Sequence, residues 1–151
     1  MNIHSYIIDI VTGESIEVIN ITARLNELIK QCRVSQGLLC ITARHTTTAL
    51  FVNEFEERLV DDIKTFFRKL VPENETYKHN DIHLRDCAPD EPKNAHSHMM
   101  AMLLSNSEVV PVVDGRLAIG QWQSILFAEL DGPRDRTLNV QVIGQSSQPD
   151  Q

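Results

Sequence analysis

Apolar and polar residues alternate near the start of the chain, and the alternation predicts a strand over Ser5 to Ile10. Thr12 and Gly13 supply a turn signal and Ser15 to Ile19 again reads as strand, so an opening hairpin is expected. The period then changes: Ile21, Leu25, Leu28, Ile29 and Cys32 recur at helical spacing, predicting an amphipathic helix that ends before Gly37. Strand formers follow as Leu-Leu-Cys-Ile-Thr-Ala and return at Ala49 to Val52, separated by the hydroxyl-rich stretch Arg44 to Thr48. Asn53 with Glu56 has the form of a capping box, and Phe55, Leu59, Ile63, Phe66, Phe67 and Leu70 mark a second helix that stops at Pro72.

Residues 72–93 are polar, punctuated by proline and without a period, which is long for a connection in a compact domain and points to a functional loop. A short helix is expected from Asn94 or Ser97 to about Ser105, with Met99, Met100 and Met102 as adaptable core. Three strands should follow. Val109 to Val113 turns at Asp114-Gly115 into Arg116 to Leu130, with a bulge at Gly120, and Asp131-Gly132-Pro133 turns into Thr137 to Ile143. Strands joined by hairpin-like turns, with helices inserted rather than alternating, give an α+β fold with mainly antiparallel sheet and two to three helices. Residues 1–144 form one domain, followed by a frayed polar tail over residues 145–151.

Composition narrows the function classes. The chain has 151 residues, 42% of them hydrophobic and 23% charged, enough for one self-sufficient core. Its 14 basic and 21 acidic residues leave a net charge of -7, which argues against nucleic acid or an anionic membrane as partner. No apolar run approaches a membrane span and the start lacks a signal-peptide pattern, so a soluble cytoplasmic protein is expected. Cys32, Cys40 and Cys87 are odd in number and widely spaced, as free thiols in a reducing compartment would be.

The chemistry-bearing residues gather where packing explains least. His45, His79, His96 and His98 are candidate ligands or bases, whereas His4 and His83 read as solvent-exposed. Two residues apart on a helix, His96 and His98 point about 200° from one another, so only one can share a ligand with His45. In Arg44-His45-Thr46-Thr47-Thr48, hydroxyls beside a cation could bind phosphate, or three threonines could simply favour a strand. Asp131-Gly132-Pro133-Arg134-Asp135-Arg136 makes a tight turn with two arginines and reads as a turn with a solvated charge pair. Glu129 shares a strand face with Ile125 and Phe127, so it lies either at the sheet's end in water or paired in a site. Trp122, on the other face, is core or a subunit contact.

Read together, GLLCITARHTTTALFVNE, the YKHN from Tyr77, NAHSHMMAMLL from Asn94 and GRLAIGQWQSI followed by ELDGPR resemble the YjbQ-like family, also called secondary thiamine-phosphate synthase. The resemblance spans nearly the whole chain. It implies a homotrimer of compact α+β subunits with a mainly antiparallel, β-sandwich-like core and, as in some members, the joining of a pyrimidine methyl diphosphate to a thiazole phosphate with loss of pyrophosphate. It marks His45 with Thr46 and Thr47, Asn53 with Glu54, His79, His98, the run from Gly120 to Gln123, Glu129 and Arg134 as shared polar positions. By that likeness His45, Glu54 and Arg134 are catalytic. Thr46, Thr47, Gln123 and Arg134 hold a small phosphorylated metabolite, and His45, His79 and His98 bind a divalent zinc or magnesium ion. Two departures stand out: Gln121 where threonine is usual, and Ser105 where a glycine usually closes the helix. The same side chains would also serve a non-catalytic metabolite-binding protein or a metal-assisted hydrolase.

Overall fold

The computed structural model describes residues 1–146. Eight strands and three α-helices build two antiparallel sheets and a helical layer: β1 (Asn2–Val11), β2 (Glu17–Asn20), α1 (Thr22–Cys32), β3 (Val34–Ala43), β4 (Thr48–Asn53), α2 (Glu57–Leu70), α3 (Ala95–Leu103), β5 (Ser107–Val113), β6 (Arg116–Leu117), β7 (Ser124–Glu129) and β8 (Asp135–Ser146). The larger sheet has strand order β1-β8-β3-β5-β6 and the smaller β2-β7-β4. The class is α+β, as the pattern of elements predicts.

Alternation decides which sheet covers which. In β8, Leu138, Val140 and Val142 turn inward, and in β3 Leu39 and Ile41 do the same, meeting Ile125 and Phe127 of β7 in the main core. Helix α1 closes the open side of this core with Ile21, Leu25 and Ile29, all fully buried. The opposite face of β7, with Leu126, Ala128 and Leu130, is covered by α2 and α3 through Val60, Phe67 and Met100. A strand buried on both faces is apolar throughout, and this is why β7 reads as a nearly continuous hydrophobic run.

Four local expectations are corrected. β1 and β2 form no hairpin: β1 pairs with β8 along its whole length, while β2 pairs with β7 in the other sheet. A turn signal fixes where a strand stops, not which strand receives it. The helix N-cap is Glu56, whose carboxylate accepts the Arg58 and Leu59 amides at 3.0 and 2.8 Å, while Asn53 closes β4. The expected strand from Arg116 to Leu130 is two strands in different sheets, and Gly120 sits in the connecting turn rather than a bulge. Trp122 in that turn is 68% exposed and belongs to neither core.

The methionines divide: Met100 is buried, but Met99 and Met102 are exposed. His4 is half-buried, with Nε2 enclosed and unpartnered, because its strand pairs with β8 at that point. The α2 stripe is also narrower than expected, with Phe55, Phe66 and Leu70 largely exposed. Gln145 and Ser146 complete β8 rather than opening a tail, and residues 147–151 lie outside the described residues. The Asp114-Gly115 turn is as expected, with φ of 50° and 71° at its two central residues, the signature of a type I′ hairpin.

Gly37 and Gly144 face each other in the β3–β8 ladder. A Cβ on Gly37 would meet the Ile143 carbonyl oxygen at 2.0 Å and the Gly144 Cα at 2.7 Å, contacts with backbone that no side chain rotation relieves. Gly37→Ala is expected to lower the urea midpoint, with a loss of about 1–3 kcal/mol as for other overpacked sites. Gly13→Ala, with nothing within 4 Å of the new Cβ, should change it little. Equal midpoints for the two variants would refute the close approach.

Candidate functional site

At one end of the sandwich the chain crosses between the sheets three times: through residues 12–16 from β1 to β2, residues 44–47 from β3 to β4, and residues 130–134 from β7 to β8. Backbone bonds lace the crossings together. Thr12 N–H donates to Arg134 O at 3.0 Å, Gly132 N–H to Ser15 O at 3.1 Å, Leu130 N–H to Thr47 O at 3.1 Å and Arg44 N–H to Thr137 O at 3.3 Å.

Glu129 and Arg136 lie inside this knot, 0% and 6% exposed. The guanidinium clamps the carboxylate with both Nε and Nη2, at 2.6 and 2.5 Å, and Nη2 also donates to Thr47 Oγ1 at 2.9 Å. The Leu130 and Asp131 amides and the Thr12 hydroxyl donate to the remaining lone pairs of Glu129 at 3.0, 2.8 and 3.1 Å. Burial by itself would raise the carboxyl pKa, but Arg136 and these donors outweigh it and hold it below the ordinary glutamate value.

Beside this pair opens a cavity of about 490 Å³, lined among others by His45, Thr46, Thr48, His98, Ser105 and Asn106. The Thr137 amide donates to His45 Nε2 at 2.8 Å. A ring nitrogen that accepts carries no proton, so this bond assigns the proton of the neutral imidazole to Nδ1. Burial first, then the Arg136 and Arg44 guanidiniums, hold the His45 pKa below the ordinary histidine value against the opposing charge of Glu129. His98 is lowered as well, by burial and then by His79, Arg85 and His96, with Asp131 opposing. Both rings are therefore neutral at pH 7. Thr48 is fully buried, and its hydroxyl has no hydrogen-bond partner. A buried hydroxyl at a cavity wall without a partner is an unsatisfied donor that calls for one.

The expected site residues divide between two places. His45, Thr46 and His98 line the cavity, and His79 stacks edge-on behind His98 with ring centroids 4.8 Å apart. Thr47 does not face the cavity freely, because its hydroxyl is taken by Arg136. Arg134 turns onto Asp131, with Nε and Nη2 at 3.2 and 2.8 Å from the carboxylate, and does not line the cavity. Glu54 and Gln123 sit at the opposite end of the small sheet, where Asn53 pairs with Ser124, whereas Thr48 pairs with Glu129. At about 3.3 Å per residue the two ends are about 16 Å apart. Gln123 holds its own turn by accepting the Gly120 amide at 2.7 Å, and Gln121 is in the same exposed turn, far from the cavity. Ser105, in place of the usual glycine, exchanges hydrogen bonds with Ser107 at 2.6 and 3.2 Å as the chain leaves α3.

The metal expectation fits these residues poorly. For His45 to ligate through Nδ1 its proton would have to sit on Nε2, facing the Thr137 N–H. Among the described residues, no group of three or more His, Cys, Asp or Glu is placed to hold a metal ion. The side chains present suit an oxyanion instead: an N–H from His45 and hydroxyls from Thr46 and Thr48 on one wall, with His98 opposite.

The hydroxyl-rich run read as a possible phosphate binder includes Thr48, which lines the cavity, whereas Arg136, expected in solvent, is buried. Arg136 carried a signal, since it is in phase with Leu138, Val140 and Val142 on the inward face of β8. Removing one partner of a buried pair strands the other charge. Arg136→Met is expected to cost about 3–5 kcal/mol at pH 7. In the parent, Glu129 is held low, so its contribution is present above the unfolded carboxyl pKa and lost as pH falls. In the variant, burial without the guanidinium raises that pKa, so acidification should recover part of the deficit. Urea melts of both proteins at pH 7 and pH 5 check this; a deficit that does not shrink at pH 5 contradicts it.

Comparison with known proteins covers almost all of the chain. The family model described as UPF0047 protein YjbQ-like matches residues 6–145. A UPF0047 protein of Methanothermobacter thermautotrophicus is 38% identical over 96% of this chain and 95% of its own length. One from Archaeoglobus fulgidus is 42% identical over 87% and 95%. Among solved structures, a YbjQ-like protein of unknown function from Sulfolobus solfataricus superposes with a TM-score of 0.85 at 31% identity, covering 95% of this chain and 99% of that one. A hypothetical protein from Aeropyrum pernix gives 0.84 at 37%, covering 96% and 100%. Matched by the family model over most of its length and sharing the fold of these relatives, the chain belongs to the YjbQ-like UPF0047 family.

Proposed function

We propose that this protein is a small-metabolite transferase of thiamine-phosphate-synthase type, working at the His45–His98 cavity on phosphorylated substrates. The observation that carries the reading is the donor set on one wall. A neutral His45 presents Nδ1–H because Thr137 occupies Nε2, next to the buried, unpartnered hydroxyl of Thr48. Arg44, exposed and close enough to depress the His45 pKa, adds positive charge beside that histidine.

The chemistry asks for such a wall. A carbon–nitrogen bond forms between the pyrimidine methylene and the thiazole nitrogen as the carbon–oxygen bond to pyrophosphate breaks, and both electrons leave on the pyrophosphate. Fixed donors aimed at the departing oxygens stabilise that developing charge without reorganising. Glu129 and Arg136 act behind the wall: they position Thr47 and the crossing that carries His45, and neither touches substrate. No step in this account uses a metal. A homotrimer, as in the family resemblance, would leave the cavity on each subunit.

Purified protein supplied with a pyrimidine methyl diphosphate, a thiazole phosphate and magnesium is expected to form thiamine phosphate. His45→Ala and Thr48→Val should each lower the rate, the former by about 100-fold or more. Circular dichroism of both variants should match the parent. No product from the parent, or equal rates in all three, sinks the reading.

A further inference from the structure

Helix α3 separates two pockets. His98 faces the cavity just described, while His96 lines a second cleft of about 390 Å³ on the other side of the helix. This is the roughly 200° divergence expected of residues two apart on a helix. The cleft lies between the β1–β2 crossing, the end of α2 and the start of α3, and its floor is apolar: Ile16, Val71, Met100 and Leu130 are all buried.

Its charge is opposite to that of the molecule. Arg68 and Lys93 line the cleft, and neither has an ion-pair partner within 4 Å among the described residues. Asp131 is already neutralised by Arg134 at 2.8 Å, which leaves Glu73 as the one opposing free carboxylate and the cleft with one positive charge in excess. In a chain of net charge -7 this is a local reversal. His96 Nδ1 is buried with no partner, so the imidazole proton belongs on Nε2, the nitrogen left to meet a ligand. The first amide of α3 is already satisfied, Ala95 N–H donating to Asn80 Oδ1 at 3.1 Å, and Asn94 donates to Asp131 at 2.7 Å, so the attraction in the cleft comes from its side chains. Arg68 complements the negative end of α2, so Lys93 and His96 carry most of the attraction.

We infer that this cleft binds a small phosphate ester with a compact apolar body, its oxygens between Lys93, Arg68 and His96 and its body on the Met100–Leu130 floor. The volume is that of a small-ligand pocket. A helix about 10 Å across stands between the cleft and the His45 cavity, so the ligand does not react there, and the inference stands whatever reaction the His45 cavity performs.

The test titrates the full chain with phenyl phosphate, following backbone amides by NMR and affinity by calorimetry. Saturable binding should shift the amides around Lys93 and His96, and the exposed double variant Arg68→Gln/Lys93→Gln should weaken it at least 10-fold. His98→Ala should leave that binding in place. Inorganic phosphate and benzoate should each bind at least 10-fold more weakly, the first lacking the apolar body and the second the third oxygen. The inference is overturned by no saturable binding, by binding unaffected in the double variant, by shifts confined to the His45 cavity and abolished in His98→Ala, or by either control matching phenyl phosphate.

Discussion

The ion pair between Glu129 and Arg136 is the constraint on which the rest of this structure depends. Moving two charges out of water costs several kcal/mol each, and attraction alone rarely recovers it. Here every neighbouring group helps. The carboxylate receives both arms of the guanidinium, two backbone amides and a threonine hydroxyl, and the guanidinium also reaches Thr47. These partners come from three separate crossings between the sheets, so the pair is satisfied only when all three are in place. A slip of one residue in β7 or β8 would turn Glu129 or Arg136 to the opposite face and strand its partner.

That knot prepares the cavity next to it. Near the start of β8 stand Arg136 and Thr137: the first anchors the pair, and the amide of the second fixes the His45 ring. The same guanidinium that neutralises Glu129 also helps keep His45 uncharged. A polar network meant for stability thus sets the tautomer of a neighbouring histidine. The family's solved relatives share the plan of the fold, which places the same crossings in the same order along the chain.

Much of this was legible in the sequence, and the failures are as physical as the successes. Amphipathic periods located α1 and α2, and Asp-Gly located the β5–β6 hairpin because its two central residues need positive φ. The face arithmetic on β7 put Glu129 in line with Ile125 and Phe127, where it is. Strand partners were not legible. Thr12-Gly13 announces a break, yet the next strand joins another sheet, a choice made by long-range packing. For the same reason Glu54 and Gln123 looked like neighbours of His45 and are about 16 Å away along β4. The turn suggested solvent for both arginines and the resemblance marked Arg134, whereas the phase of Arg136 on β8 points inward.

The crossings between the sheets fix His45 as a neutral ring with its proton on Nδ1. Long-range proton–nitrogen NMR of the histidine rings in labelled protein at pH 7 reads this directly. His45 Nε2 is expected to resonate as the unprotonated nitrogen and Nδ1 as the protonated one. A proton on Nε2, or an imidazolium at pH 7, would contradict it.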